Sequence, residues 1–220
     1  MIRNAVIALA FLLTTTAYSQ GTAFLQDPVT TKNFNTDKYS GIKGTPFLQD
    51  KWIKGTATTP RGIYQQLELK FNVYDNTLFF NKEDEAFEFQ DEITSFTLMP
   101  KPDDSATYLV YKKGITGADF SRSQYVQVLL EGPVGLYKLA IKQVSEMSEV
   151  NAGIVKTFTN NSKYYISKNN QLRFIKINKS EILSILSDKQ EKIQSYINEK
   201  KLSFRKDSDL VEVLKYYQSL

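Results

Sequence analysis

The feature that most constrains this chain is a change of hydrophobic period along its length. Leu67, Leu69, Phe71 and Val73 alternate with Glu68, Lys70 and Asn72. A two-residue period puts the apolar set on one face of a strand. After Asn178 the period lengthens. Ile182, Leu183, Ile185 and Leu186, then Ile193, Tyr196 and Ile197, then Leu210, Val211, Leu214 and Tyr217 fall at helical spacing. Strands first and helices last define an α+β chain. The expected architecture is a mostly antiparallel β-sheet of about seven to ten strands, followed by two or three short C-terminal helices. Helices this short are unstable alone, so their apolar stripes must be buried on the sheet or on a partner.

Turn chemistry divides the strand region. Tyr74-Asp75-Asn76 joins the alternating strand to a second at Thr77 to Asn81, and Glu83-Asp84-Glu85 turns the chain again. Further strands are expected at Ile93–Leu98, Thr107–Tyr111, Tyr125–Leu130, Leu136–Val144, Tyr164–Ser167 and Leu172–Ile177. Lys113 to Ser123 has two glycines and little periodicity, and reads as an irregular crossover. Asn178 to Glu181 and Ser187 to Gln190 fit capping boxes. Asp207 or Ser208 is suited to cap the last helix.

Four segments follow from composition. Residues 1–19 read as a secretory signal peptide: Arg3 supplies the positive end, Ala5 to Leu13 the apolar run, and Ala17-Tyr18-Ser19 the small-residue cleavage pattern. Residues 20–43 read as a flexible N-terminal arm, 44–178 as the β-rich domain, and 179–220 as the helical segment packed on it. The expected location is the periplasm or the extracellular space. No cysteine follows the apolar run, which leaves no lipid attachment point, and no later stretch is apolar enough to serve as a transmembrane anchor. The arm also carries a duplication. Gly21 to Asp27 (GTAFLQD) recurs as Gly44 to Asp50 (GTPFLQD). It reads either as a local duplication without a role or as an arm that mimics the start of the domain and could pair with an open strand edge on a second molecule.

Three stretches taken together, GTPFLQDKWIKG (Gly44 to Gly55) with the following Phe71-Asn72-Val73, YVQVLLEGPVGLY (Tyr125 to Tyr137) and the tail from Asp188 to Leu220, resemble a family of secreted proteins from Bacteroidota. The resemblance implies export and carries no catalytic residues with it. Asp104-Ser105-Ala106 is similar to the O-glycosylation acceptor tripeptide of that phylum, which makes Ser105 a candidate modification site.

The 220 residues include no Cys and no His. That removes disulfides, thiolate nucleophiles, Cys/His zinc sites and every triad with an imidazole base. Two S-x-x-K patterns, Ser40 to Lys43 and Ser203 to Lys206, lack the companion motifs of a Ser/Lys enzyme. No phosphate-binding loop, dinucleotide motif or calcium loop is present, so no cofactor and no metal is expected. The carboxylates Glu83 to Glu85, Asp91 and Glu92 lie in predicted turns, where acids stay solvated, whereas a general acid needs burial.

Net charge is +4, too small for strong counterion release on nucleic acid. It is unevenly spread: residues 75–104 carry nine acids against two lysines, and residues 163–206 carry eleven bases against four acids. These blocks read as a docking face, as mutually neutralising parts of one molecule, or as solvated surface. The aromatic content, 13%, is read first as strand-forming core and second as platforms for sugar rings, with Trp52 the candidate ligand contact. The function expected is that of an exported, non-catalytic binding or structural protein of the cell envelope, its partner an envelope protein or an anionic glycan. The alternatives are a carboxylate-dependent glycan hydrolase and a carrier of lipid or another apolar ligand.

Overall fold

The computed structural model describes residues 24–25, 28, 30–33, 36–117, 119–149, 153–169 and 171–220. The expected signal peptide lies outside these residues. The strands are β1 (Phe24–Leu25), β2 (Thr30–Asn33), β3 (Ile42–Lys43), β4 (Ile53–Thr59), β5 (Gly62–Asn72), β6 (Thr77–Lys82), β7 (Glu85–Phe89), β8 (Ser95–Leu98), β9 (Leu109–Lys112), β10 (Val126–Leu130), β11 (Val134–Glu149), β12 (Gly153–Lys168) and β13 (Gln171–Ile175). The helices are α1 (Lys179–Ile185), α2 (Gln190–Lys200) and α3 (Asp207–Ser219). The class is α+β, with the helices at the C-terminal end of the chain.

The strands join in one sheet, in the order β13-β12-β11-β10-β9-β8-β4-β5-β6-β7-β2. Pairing along this path is antiparallel. Two short strands pair in parallel off it, β1 on β5 and β3 on β12. The expected hairpins are present, and Lys113 to Ser123 is irregular as read from its glycines.

One face of the sheet buries two apolar cores. The first fills the curl of β4 to β9 with Phe71, Phe80, Phe96, Leu98 and Tyr111. Phe71 contacts Phe96, Tyr111 and Tyr125 at ring separations of 5.2, 5.2 and 5.6 Å, within the range of favourable aromatic pairs. The second lies under the helices, where Leu136, Ile166 and Ile175 of the sheet meet Ile182, Leu186, Ile193, Leu210 and Leu214. A smaller cluster of Phe120, Val126, Leu139 and Tyr165 forms where the irregular crossover folds back against the sheet.

Two readings of the sequence need correction. The larger concerns β11 and β12, which form sixteen consecutive cross-strand pairs, from Val134 opposite Lys168 to Glu149 opposite Gly153. Only their inner ends were expected as strands. Their outer parts carry Ser145, Glu146, Ser148, Thr157, Thr159 and Asn160, with no sustained apolar alternation, because both faces meet solvent over most of that length, the buried Phe158 excepted. The described residues of the expected arm supply β1, β2 and β3, and Asn72 donates from Nδ2 to the Tyr39 hydroxyl at 2.8 Å, fixing the turn before β3. The second correction is capping. Asn178 accepts from the Glu181 amide at 2.9 Å as expected. Asp188 instead accepts from Lys168 and the Tyr217 hydroxyl at 2.7 and 2.8 Å. Ser187 opens a 3-10 turn whose N-cap makes no side-chain hydrogen bond. Asp207 is already inside α3 and faces the sheet.

Gly55 on β4 has no room for a side chain. A Cβ there would sit 2.2 Å from the Thr97 carbonyl oxygen and 2.8 Å from Leu69 Cδ1. Gly55→Ala is expected to destabilise the protein by about 1–3 kcal/mol through overpacking, read as a lower denaturation midpoint in urea with an unchanged slope.

Candidate binding site

The register of the sheet places one row of side chains across eight strands. It runs Tyr64, Ala57, Phe96, Tyr111, Gln127, Lys138, Tyr164, Ile175. The first four belong to the aromatic core, and Ile175 to the helical core. Gln127 and Lys138 stand between them, so the two cores are separated by a polar seam.

Helix α3 closes the seam from above. Lys138 Nζ donates to Asp207 Oδ2 at 2.7 Å, and the Tyr164 hydroxyl donates to Asp207 Oδ1 at 2.6 Å. Burial alone would push the Lys138 ammonium down, but its hydrogen bonds to Asp207 and Tyr164 outweigh that and hold its pKa above the ordinary 10.5. Burial, then the bond to Asp207, likewise raises the Tyr164 phenol. Burial also raises the Tyr111 phenol, with the Asp207 charge adding to the effect.

Beyond the seam, side chains on the same face of β11 and β12 continue as Ala140 opposite Ser162 and Lys142 opposite Asn160. Ala140 is too small to fill the space above it. A cavity of about 330 Å³ opens there, bounded also by Leu48, Gln49, Val73, Leu109 and Asp207. The second copy of the duplicated heptapeptide forms one wall. It is held to β5 by the Leu48 amide donating to the Phe71 carbonyl at 2.8 Å and the Val73 amide donating to the Pro46 carbonyl at 3.0 Å. Lys142 Nζ donates to the Thr45 carbonyl at 2.8 Å. Burial holds this ammonium below the ordinary lysine value, opposed by the charge of Asp50.

The residues singled out from the sequence lie elsewhere. Trp52 is half-buried, 5.8 Å from the ammonium of Lys70, which also sits 4.4 Å from the Phe47 ring. An internal cation therefore already occupies its neighbourhood. Ser105 is exposed at the start of a 3-10 turn capped by Asp104, whose carboxylate accepts from the Ala106 amide at 3.1 Å. Ser203 donates to Asp209 at 3.3 Å. Asp91 is engaged by Arg61 and the Tyr64 hydroxyl. Glu88, Asp91 and Glu92 border a shallow cavity of about 180 Å³ together with Lys113. Among the described residues, no group of three or more acids is placed to hold a metal ion, and no helix is long and apolar enough to cross a membrane.

The seam was missed because no motif marks it. Its residues come from three strands and a helix, and the cavity beside it adds β9 and the loop before β4. One local signal exists: Leu136, Lys138, Ala140, Lys142 and Val144 share a face, and that face turns from apolar to cationic and back within nine residues. Comparison of the chain with protein families, curated proteins and solved structures finds no match, so the chemistry of the site rests on its geometry.

The Lys138 and Asp207 side chains are 23% and 33% exposed, so their pairing is partly screened. Asp207→Asn is expected to cost on the order of 1–2 kcal/mol. The raised values of Lys138 and Tyr164 mean that their contribution is complete below pH 10.0 and is lost as pH rises through those values. Urea titrations from pH 8 to about 11 should therefore show an alkaline loss of stability that is smaller in Asp207→Asn.

Proposed function

We propose that this chain is an exported, non-catalytic binding protein of the bacterial cell envelope that holds its ligand in the cavity beside the polar seam. The observation that carries the reading is the composition of that cavity. Among the described residues its wall offers two ammonium groups and the amides of Gln49, Gln127, Asn160 and Asn161, but a single carboxylate, Asp207. Asp207 is committed to Lys138 and Tyr164. A wall of donors suits recognition. Glycoside hydrolysis needs two carboxylates flanking one bond, and here the second is missing from the wall. Transport of an apolar ligand needs a large apolar space, whereas the volume between helices and sheet is filled by Leu136, Ile166, Ile182 and Leu210, each 0% exposed.

Export is supported by the N-terminal pattern of Met1 to Ser19. Ser105 remains the proposed glycosylation acceptor, supported by its exposure on a turn. Protein recovered from a Bacteroidota envelope is expected to begin at Gln20, and to lose a glycan mass in Ser105→Ala. Unprocessed protein confined to the cytosol would refute the location.

The binding reading is tested with fragments of envelope glycans. The wild type is expected to retain a subset of them. Ala140→Leu, which fills the cavity floor, is expected to retain none while keeping its far-UV spectrum and melting temperature. Turnover of a retained fragment by the wild type would refute the non-catalytic assignment.

A further inference from the structure

We propose that the cavity takes a single carboxylated sugar unit, a uronate, with Lys142 receiving the carboxylate and Ala140 setting the size limit. The inference rests on the binding reading above and names the ligand class for the same site.

The first argument is charge. Among the described residues Lys142 forms no ion pair. Its one hydrogen bond is to the neutral Thr45 carbonyl. It is half-buried, so it has lost part of its hydration, and no described carboxylate lies within ion-pair distance of it; the charge of Asp50 acts on it only from farther off. The other cation of the wall, Lys138, is already neutralised by Asp207. One ammonium with no direct anionic partner among the described residues matches one negative charge. A phosphate would carry more charge than this wall offsets, and among the described residues no arginine lines the cavity to bind it bidentately. An amino acid would need a carboxylate for its ammonium, and the only one in the wall is taken.

The second argument is the arrangement of neutral groups. Asn160 is the cross-strand neighbour of Lys142, and Ser162 that of Ala140, on the same face. Gln127 is the neighbour of Lys138. Amide side chains donate and accept at once, as a ring of hydroxyls requires. Leu48, Val73 and Leu109 add apolar surface to the lining for the C–H face of a sugar.

The third is size. About 330 Å³ lies at the low end of ligand sites. It accommodates one ring rather than several.

The test is calorimetric titration of the purified protein with glucuronate, galacturonate, glucose and galactose, and with a tetrauronide. At least one uronate is expected to bind roughly tenfold or more tighter than its neutral counterpart, the range for a charge-assisted hydrogen bond. Lys142→Met should erase that preference, and Ala140→Leu should abolish binding altogether. Lys163→Met, on the opposite face, should change neither, and the melting temperature of each variant verifies its fold. Binding of the tetrauronide as well assigns the site to a unit of a glycan chain, whereas binding of the monosaccharide alone assigns it to the free sugar acid. Equal binding of neutral and charged sugars, blocked by Ala140→Leu, would overturn the uronate and leave the binding reading standing. Uronate binding untouched by Lys142→Met would also overturn it. If none of these sugars binds, the uronate assignment falls, and the binding reading falls with it only if the glycan fragments are not retained either.

Discussion

Sixteen unbroken cross-strand pairs between β11 and β12 form the axis on which the molecule is assembled. Each successive pair on one face has a different task. Val134 and Leu136 are the floor of the helical core. Lys138 receives α3 through Asp207. Ala140 and Lys142 line the cavity. Phe158, opposite Val144, packs against Tyr39 and Tyr74 at 5.6 and 5.3 Å and so holds the N-terminal segment. Glu146 and Ser148 end in solvent. Because side chains in a ladder repeat every second residue, a slip of one position would exchange all of these for the opposite set. The ladder therefore fixes core, seam and cavity together.

The seam has a structural cost and a structural use. An apolar pair in place of Gln127 and Lys138 would merge the aromatic and helical cores into one. Polar groups there are tolerable because they are satisfied: Lys138 has Asp207, and Asp207 has Tyr164. The same groups keep the two cores apart, and the space beside them stays open because Ala140 is small.

Much of the fold was legible in the sequence, because alternation and turn residues report on strands with one buried face. Leu67 to Val73 with Tyr74-Asp75-Asn76 is the clear case, and it maps onto β5 and β6. The outer half of the β11–β12 hairpin was not legible. Met147 and Ile154 are 67% and 70% exposed, and where neither face is buried the sequence has no reason to alternate. Capping signals were legible only when local. Asn178 needed nothing beyond its own turn, whereas Asp188 and Asp207 are claimed by distant lysines and tyrosines. The site follows the same rule. Lys142 is an unremarkable strand lysine until tertiary structure brings the Thr45 loop against it.

The duplicated heptapeptide shows how one strand can use the same words twice. Phe24 and Leu25 of the first copy run parallel to β5 beside Ile63 and Tyr64, while Phe47 of the second bridges Asn72 antiparallel at the far end. Main-chain hydrogen bonds accept either direction, so the copies share residues without sharing geometry. On the edge of β5 that the first copy joins, β6 pairs only Leu69 to Asn72. An eleven-residue strand bordered by so short a neighbour would present a long bare margin, the kind of surface on which β proteins stick to one another. The first copy covers two residues of that margin, which leaves less bare backbone for another strand to add to.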